Sequence, residues 1–232
     1  MKSGRALPAG SVNMPERILL LGASGLIGRE LLRELCKRDA FLLVPVRSVH
    51  ELQSFVDTLH AQASVSVISY EKLWATKSEI DTCFCTLGTT QKVAGKAGLK
   101  SVDLDLVVRG CQWAVDNGAQ LLSVVSAIGA NPRSPFYYNR IKGSMELHLQ
   151  TLNCSSLHLW RPSILQGSRP ESQPARPLEQ ISGVLLSSPL WRNYQALPAR
   201  SVARAMLKAA RLERHRESVF TAGDIRRLAH DD

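Results

Sequence analysis

The amino-acid sequence predicts an α/β protein built on a doubly wound parallel sheet with helices on both faces. Two observations support this prediction: short apolar runs alternate with helix-like segments, and the first run leads directly into a glycine-rich turn. The length of 232 residues, with 44% hydrophobic and 21% charged residues, suits a soluble globular protein. We therefore expect a flexible tail at residues 1–14 and a single domain at residues 15–232.

Six apolar runs have the length of buried strands. They cover residues 17–22, 41–46, 65–69, 80–87, 120–126 and 155–161, with helix-like segments at 25–38, 48–60, 98–117 and 137–152. Ser48 and Glu51 predict a capping box at the start of the second helix, and Gly118 predicts the end of the third. Because proline lacks an N–H group, we expect Pro45 near the end of its strand.

The glycine-rich turn lies between the first predicted strand and the first predicted helix. We expect Gly22 to allow the tight turn, Gly25 to let a pyrophosphate approach the backbone, and Gly28 to let the helix pack on its strand. The alternative is that these glycines serve the turn and the packing with no ligand. The context favours a Rossmann-type dinucleotide fold, in which the phosphates bind at the helix N-terminus. The expected binding residues are Gly22, Ala23, Ser24, Gly25, Leu26, Ile27 and Gly28.

The end of the second predicted strand bears on the choice of dinucleotide. An NAD site usually has an acidic residue there for the ribose 2′-hydroxyl, whereas a 2′-phosphate favours arginine. The sequence has Val46-Arg47-Ser48 at this point and no acidic residue. Arg47 therefore predicts NADP, and Arg29 could assist in binding it. The alternative is that Arg47 is an ordinary surface arginine.

Tyr138 and Lys142 form a YxxxK motif, which places a phenol and an ammonium one helical turn apart on the same face. A free phenol has a pKa of about 10, and a neighbouring cation brings it toward the range useful for proton transfer. Ser126 ends the preceding predicted strand, at the edge where open α/β sheets bind ligands. The three residues predict a reductase site. The alternatives are a surface pair for Tyr138 and Lys142 and a turn hydroxyl for Ser126.

The net charge of +9 is compatible with an anionic partner. Many basic residues lie in the last third of the chain: Arg200, Arg204, Lys208, Arg211, Arg214, Arg216, Arg226 and Arg227. This stretch could contact nucleic acid or an acidic membrane. We favour a solvated helix face opposite the apolar residues Val202, Ala205, Met206 and Ala209, so nucleic acid is not an expected partner.

Five cysteines without disulfide or zinc spacing favour a reducing cytoplasm, with Cys83 and Cys85 on one face of a buried strand. Six scattered histidines give little support for a metal site, so none is expected. The N-terminal residues lack the apolar segment of a secretory signal, and the sequence has no apolar run long enough for a membrane helix.

Seven motifs occur in a fixed order between about residues 15 and 228. They are Gly22 to Gly28, Cys85-Thr86-Leu87-Gly88-Thr89-Thr90, Lys96-Ala97-Gly98, Val102-Asp103-x-Asp105, the Ser126 segment, Tyr138-x-x-x-Lys142-Gly143 and Arg161-Pro162-Ser163-Ile164-Leu165. In this combination the chain resembles the atypical short-chain dehydrogenase/reductases, in particular the branch typified by the HIV Tat-interacting oxidoreductase and its bacterial NAD(P)-binding relatives.

The resemblance implies that Ser126, Tyr138 and Lys142 are catalytic and that Tyr138 and Lys142 also contact the cofactor, the lysine at the nicotinamide ribose. It further implies cofactor contacts from Leu87, Gly88, Thr89, Thr90, Arg161, Pro162 and Leu165. The chain departs from the family pattern in one respect, because the usual relay asparagine is absent from residues 98–112. Asp103, Asp105 and a relay through water are the alternatives.

Together these features predict an NADP-dependent oxidoreductase that acts on a small carbonyl or alcohol, with Tyr138 as the acid/base. The alternative is an NADPH-binding redox sensor or interaction protein with little turnover. We expect substrate-lobe elements within about residues 166–200, beginning with a proline-rich loop. Either a monomer or a homodimer is compatible with the sequence.

Overall fold

Strands and helices alternate through the part of the chain that this computed structural model describes, which is residues 15–166, 196–212 and 217–230. The elements up to residue 116 are β1 (Glu16–Leu21), α1 (Leu26–Leu35), β2 (Ala40–Val46), α2 (Val49–Asp57), β3 (Ser64–Ser69), α3 (Tyr70–Ala75), β4 (Thr82–Cys85), α4 (Gln91–Lys100), a π-helical turn (Ser101–Leu106) and α5 (Val107–Asp116). They are followed by β5 (Leu121–Val125), α6 (Tyr137–Gln150), β6 (Ser156–Arg161), β7 (Leu165–Gln166), β8 (Leu197–Pro198), α7 (Ala199–Ala209), β9 (Glu217–Thr221) and α8 (Ala222–His230).

Seven of the strands form one parallel sheet in the order β3-β2-β1-β4-β5-β6-β9. The order runs outward from β1 in both directions, which is the topology of a doubly wound sheet and confirms the predicted fold class. The direction of winding changes between β1 and β4, so the loops that follow these strands diverge and leave a crevice at their carboxyl ends. The short strands β7 and β8 pair separately.

The hydrophobic core has two layers, one on each face of the sheet. Strand β1 contributes to both, because successive side chains of a strand point to opposite faces. Ile18 and Leu20 belong to the layer that contains buried residues of α1, α2, α7 and α8. Leu19 and Leu21 belong to the layer that contains buried residues of α3, α5 and α6. Helices therefore cover both faces, as predicted.

The predicted elements agree with the structure in most places, and the differences have local causes. Pro45 is the penultimate residue of β2 and pairs with Ile68 of β3, beyond the point where pairing with β1 ends at Leu43. Ser48 occupies the N-cap of α2 as predicted, but its side chain makes no capping hydrogen bond, so the prediction of a capping box was wrong. The helix predicted at 98–117 is divided into the end of α4, the π-helical turn and α5.

The C-terminal basic stretch is in part a solvated helix face. Helix α7 buries Val202, Ala205, Met206 and Ala209, as predicted, and leaves Arg200 and Arg204 exposed. Arg214 and Arg216, the tail at residues 1–14 and most of the predicted substrate lobe lie outside the described residues. No helix in the described ranges combines the length and apolar character needed to cross a membrane.

Candidate functional site

Two glycines at the turn after β1 leave no room for a side chain, namely Gly22 in the turn and Gly28 in α1. Gly22 has a φ of +83°, and a Cβ there would lie 2.7 Å from the backbone nitrogen of Leu87. A Cβ on Gly28 would lie 2.1 Å from the Gly22 carbonyl oxygen. At Gly25, the N-cap of α1, a Cβ would meet only that same oxygen, at an ordinary 3.4 Å. The turn and the helix packing therefore explain Gly22 and Gly28, but they do not explain Gly25.

The loop after β4 packs against this glycine turn. The Thr86 hydroxyl donates to the carbonyl oxygens of Leu21 and Gly22, at 3.2 and 3.1 Å. Residues 87–90 then lead into α4, with Thr90 as its N-cap. The Thr90 hydroxyl oxygen is buried and has no hydrogen-bond partner among the described residues. The structure thus brings the two predicted cofactor-binding segments side by side.

Lys142 lies in α6 and is buried, with 2% of its side chain exposed. Its Nζ is 2.9 Å from Oδ1 of Asp103, which is fully buried in the π-helical turn, and donates to the Val125 carbonyl oxygen at 3.3 Å. Burial favours the neutral amine, but the negative charge of Asp103 outweighs it, so the pKa of Lys142 lies above its ordinary value. Lys142 is therefore an ammonium at neutral pH.

Ser126 follows β5 directly, next to the carbonyl group that Lys142 contacts. Its backbone N–H donates to the Trp160 carbonyl oxygen at 2.6 Å, which fixes the residue at the carboxyl end of the sheet. Its Oγ is buried, and nothing in the described ranges forms a hydrogen bond with it. A hydroxyl in this state has the capacity to bind a ligand oxygen.

Tyr138 is the second residue of α6 and is half-buried, one turn before Lys142. The two side chains interact electrostatically. The neighbouring Tyr137 points elsewhere, since its hydroxyl donates to the Lys96 carbonyl oxygen at 3.2 Å. The structure therefore places Lys142 and Ser126 at the carboxyl end of β5, with Tyr138 one helical turn before Lys142.

The segment after β6 lies beside that of Ser126. The Pro162 carbonyl oxygen accepts from the Ile128 N–H at 3.2 Å, and Leu165 begins β7. The Arg161 guanidinium binds Glu146 of α6 through two hydrogen bonds of 3.0 and 2.5 Å. Sequence reasoning gave no partner to Arg161. Because the two residues are 15 positions apart, no local sequence pattern predicts that they pair.

Arg47 follows β2 and is exposed. Arg29 lies on the first turns of α1, where its Nε donates to the Ser24 carbonyl oxygen at 3.3 Å and its guanidinium stacks over the Phe55 ring at 4.5 Å. Sequence reasoning did not identify Phe55, because an aromatic on an amphipathic helix is an ordinary core residue. Arg29 therefore lies beside the glycine turn, and Arg47 lies at the carboxyl end of the neighbouring strand β2.

The comparison with solved structures defines the class of fold. An oxidoreductase of the short-chain dehydrogenase/reductase family from Burkholderia thailandensis superposes with a TM-score of 0.66 at 17% identity, over 91% of this chain and 93% of that chain. An archaeal alcohol dehydrogenase from Thermococcus sibiricus, complexed with 5-hydroxy-NADP, superposes with a TM-score of 0.62 at 16% identity, over 89% and 96% of the two chains. The chain thus has the Rossmann fold of the short-chain dehydrogenases/reductases.

Sequence relatives place it within that class. Protein HTATIP2 of Rattus norvegicus is 32% identical over 194 residues, which is 82% of this chain and 79% of the relative. The mitochondrial protein fmp52 of Emericella nidulans is 28% identical over 170 residues, 71% and 73% of the two chains. No protein-family model matches the chain. The chain belongs to the atypical short-chain dehydrogenase/reductase family, in the branch that contains HTATIP2.

Proposed function

We propose that this protein is an NADP-dependent oxidoreductase that transfers a hydride between the nicotinamide and a small carbonyl or alcohol substrate. The observation that carries the proposal is the buried ammonium of Lys142 beside the unpartnered hydroxyl of Ser126, with Tyr138 one helical turn away. A buried cation and a free donor at the carboxyl ends of parallel strands are suited to bind an oxygen atom that gains negative charge.

The three residues have separate roles in the proposed reaction. Ser126 donates a hydrogen bond to the substrate oxygen, and Tyr138 transfers its proton to that oxygen when the carbonyl carbon receives the hydride. Lys142 favours the phenolate that remains. In the oxidative direction the same phenolate removes the proton from the alcohol. The nicotinamide, when bound, supplies or accepts the hydride.

The glycine turn supports a dinucleotide in this site. The space next to the Gly25 Cα is filled neither by the turn nor by the helix packing. The N–H groups at the start of α1 face the same crevice, and they favour an anion. Leu87, Gly88, Thr89 and Thr90 line the other wall in this proposal, with the free Thr90 hydroxyl as a donor. The residues of the glycine turn and of the loop after β4 therefore fit a nicotinamide dinucleotide.

Arg47 supports NADP over NAD, because a guanidinium at the end of β2 suits a 2′-phosphate and no carboxylate occupies that position. Titrations with NADPH and NADH, followed by intrinsic fluorescence, test this assignment. We expect Arg47→Ala to weaken NADPH binding toward the NADH level and to leave NADH binding unchanged. Arg204→Ala, an exposed arginine of α7, is the matched control and should affect neither nucleotide. Equal binding of the two nucleotides by the wild type would exclude the Arg47 role.

Turnover is tested by a screen of carbonyl compounds with NADPH. Removal of a general acid typically costs about 10²–10⁴-fold in rate, so Tyr138→Phe should abolish most of the activity. Tyr137→Phe is the control, since its hydroxyl is engaged with Lys96. Tight NADPH binding with no consumption by any carbonyl would instead indicate a redox-sensing or interaction protein. Failure to bind either nucleotide would exclude both functions.

A further inference from the structure

We propose that Asp103 is the positioning residue of this site, which holds Lys142 in place through one carboxylate oxygen and the Thr89 loop through the other. Its effect on catalysis rests on the proposed function, but the arrangement itself does not. Asp103 touches neither the proposed substrate nor the reacting atoms, so it acts through Lys142.

The carboxylate joins two segments that are far apart in the sequence. Oδ1 of Asp103 lies 2.9 Å from Lys142 Nζ, and Oδ2 accepts from the Thr89 N–H at 2.7 Å. A third contact, from Lys142 to the Val125 carbonyl oxygen, completes the support of the ammonium. The end of β5, helix α6 and the loop after β4 are thereby fixed relative to one another by Asp103 and Lys142 together.

The π-helical turn explains how an aspartate reaches this position. A π-helical turn is wider than an α-helical one and is frequently found at functional sites. It places Asp103 in the interior, whereas Asp105, two residues further on, is exposed and pairs with Lys100 at 2.9 Å. The absence of a side chain at Gly88 provides the space for this ion pair, since a Cβ there would lie 3.3 Å from Asp103 Oδ1 and 3.8 Å from Lys142 Nζ.

Asp103 also determines the charge of Lys142. The titratable groups that act on the ammonium are Asp103 from the π-helical turn, Tyr138 from its own helix and Cys85 from β4. Asp103 is the carboxylate among them. Without it, burial acts on Lys142 with no carboxylate to oppose it, so we expect the pKa of Lys142 to be lower than in the wild type. An asparagine in place of Asp103 keeps the shape and an oxygen acceptor but removes the negative charge.

The first experiment measures NADPH affinity from about pH 7.5 to pH 9, where the 2′-phosphate is fully ionised, in the wild type, in Asp103→Asn and in Asp105→Asn. We expect a flat profile for the wild type and for Asp105→Asn. The affinity of Asp103→Asn should fall by about tenfold or more as the pH rises, because its Lys142 loses the proton. Equally flat profiles for Asp103→Asn and the wild type would overturn the proposal, because a purely structural aspartate would change affinity without changing its dependence on pH.

A second measurement does not depend on nucleotide binding and is read on the wild-type protein. The side-chain nitrogen of Lys142 is followed by NMR in the wild type, labelled with ¹⁵N-lysine and assigned by comparison with Lys142→Met. We expect Lys142 to remain an ammonium at pH values where the exposed lysines have begun to lose their protons. If Lys142 titrates below the exposed lysines, the Asp103 proposal is wrong. If the wild type binds no nucleotide while Lys142 stays charged, the proposed function fails and the role of Asp103 in holding the ammonium stands.

Discussion

Ser123 lies within β5 and Ser126 directly follows it, and their two hydroxyl groups have different environments. The Ser126 hydroxyl has no hydrogen-bond partner within the described ranges, whereas the Ser123 Oγ accepts from the buried Trp160 indole at 2.9 Å. We expect Ser126→Ala to leave the free energy of unfolding unchanged or raise it by up to about 1 kcal/mol. Ser123→Ala should lower it by about 1–3 kcal/mol, because the indole N–H loses its acceptor. Urea unfolding measures both, and a larger loss for Ser126→Ala would refute the idea that its hydroxyl is reserved for a ligand.

The glycines of the turn allow a similar separation of stability from binding. Gly28→Ala should destabilise the protein by about 1–3 kcal/mol, since its Cβ would overlap the Gly22 carbonyl. Gly25→Ala should cost less than about 1 kcal/mol, because its backbone is extended and its Cβ has room. Thermal unfolding and NADPH titration of the two variants test this. In the proposed site Gly25→Ala keeps the fold and loses NADPH affinity, and unimpaired affinity would contradict a pyrophosphate at this position.

Residue patterns predicted part of this site and left a specific part open. The spacing of Tyr138 and Lys142 was visible because both lie on a regular α-helix, where four residues make about one turn. The choice between Asp103 and Asp105 was not, because the π-helical turn changes which residues point inward. The i+4 rule fails across such a turn. The burial of Asp103 therefore had no signal in the sequence.

At the level of elements, β9 completes the sheet at the edge next to β6. Phe220 stacks on Trp160 of β6 with ring centroids 4.1 Å apart, whereas Val219 faces the other way and is 41% exposed. We expect Phe220→Ala to cost about 2 kcal/mol of unfolding free energy, and Val219→Ala to change it by no more than about 0.5 kcal/mol. Denaturant unfolding followed by tryptophan fluorescence provides the measurement. Equal costs for the two variants would mean that the ring stack does not anchor β9.

Among the elements that sequence reasoning missed, α3 and β9 share a physical cause. Helix α3 has six residues and only Leu73 fully buried, so it lacks a repeated apolar spacing. Strand β9 alternates exposed and half-buried residues, which gives no continuous apolar run. Five of the six predicted strands lie inside the sheet and are mostly buried, so apolar runs identified them. The sixth, β3, is an edge strand like β9, but Val65, Val67 and Ile68 give it an apolar pattern that the two apolar residues of β9 do not provide.

For the whole molecule, the buried pair of Lys142 and Asp103 links stability to pH. The folded-state pKa of Lys142 is raised above its ordinary value of 10.5, so this contribution to stability is present below that value and is lost as the pH rises through the folded-state pKa. In Asp103→Asn the sign reverses, because an unpaired buried ammonium costs free energy until it is deprotonated. We expect this variant to be less stable by about 3–5 kcal/mol at pH 7, with a smaller deficit at pH 9.5. Urea unfolding at the two pH values tests this, and a deficit that does not change with pH would place the cost outside Lys142.

The position of β1 inside the sheet, next to β4, has a consequence for how the protein reaches its native state. The turn after β1 is complete only when the Thr86 hydroxyl binds the Gly22 carbonyl, a contact that spans 64 positions of the chain. Contacts between distant segments slow folding, since the intervening loop must close before they form. Changes where β1 meets β4 should therefore act mainly on the folding rate if this pairing belongs to the nucleus, whereas changes at β9 should act mainly on the unfolding rate. The glycine turn would then form completely only after β4 has been synthesised and docked.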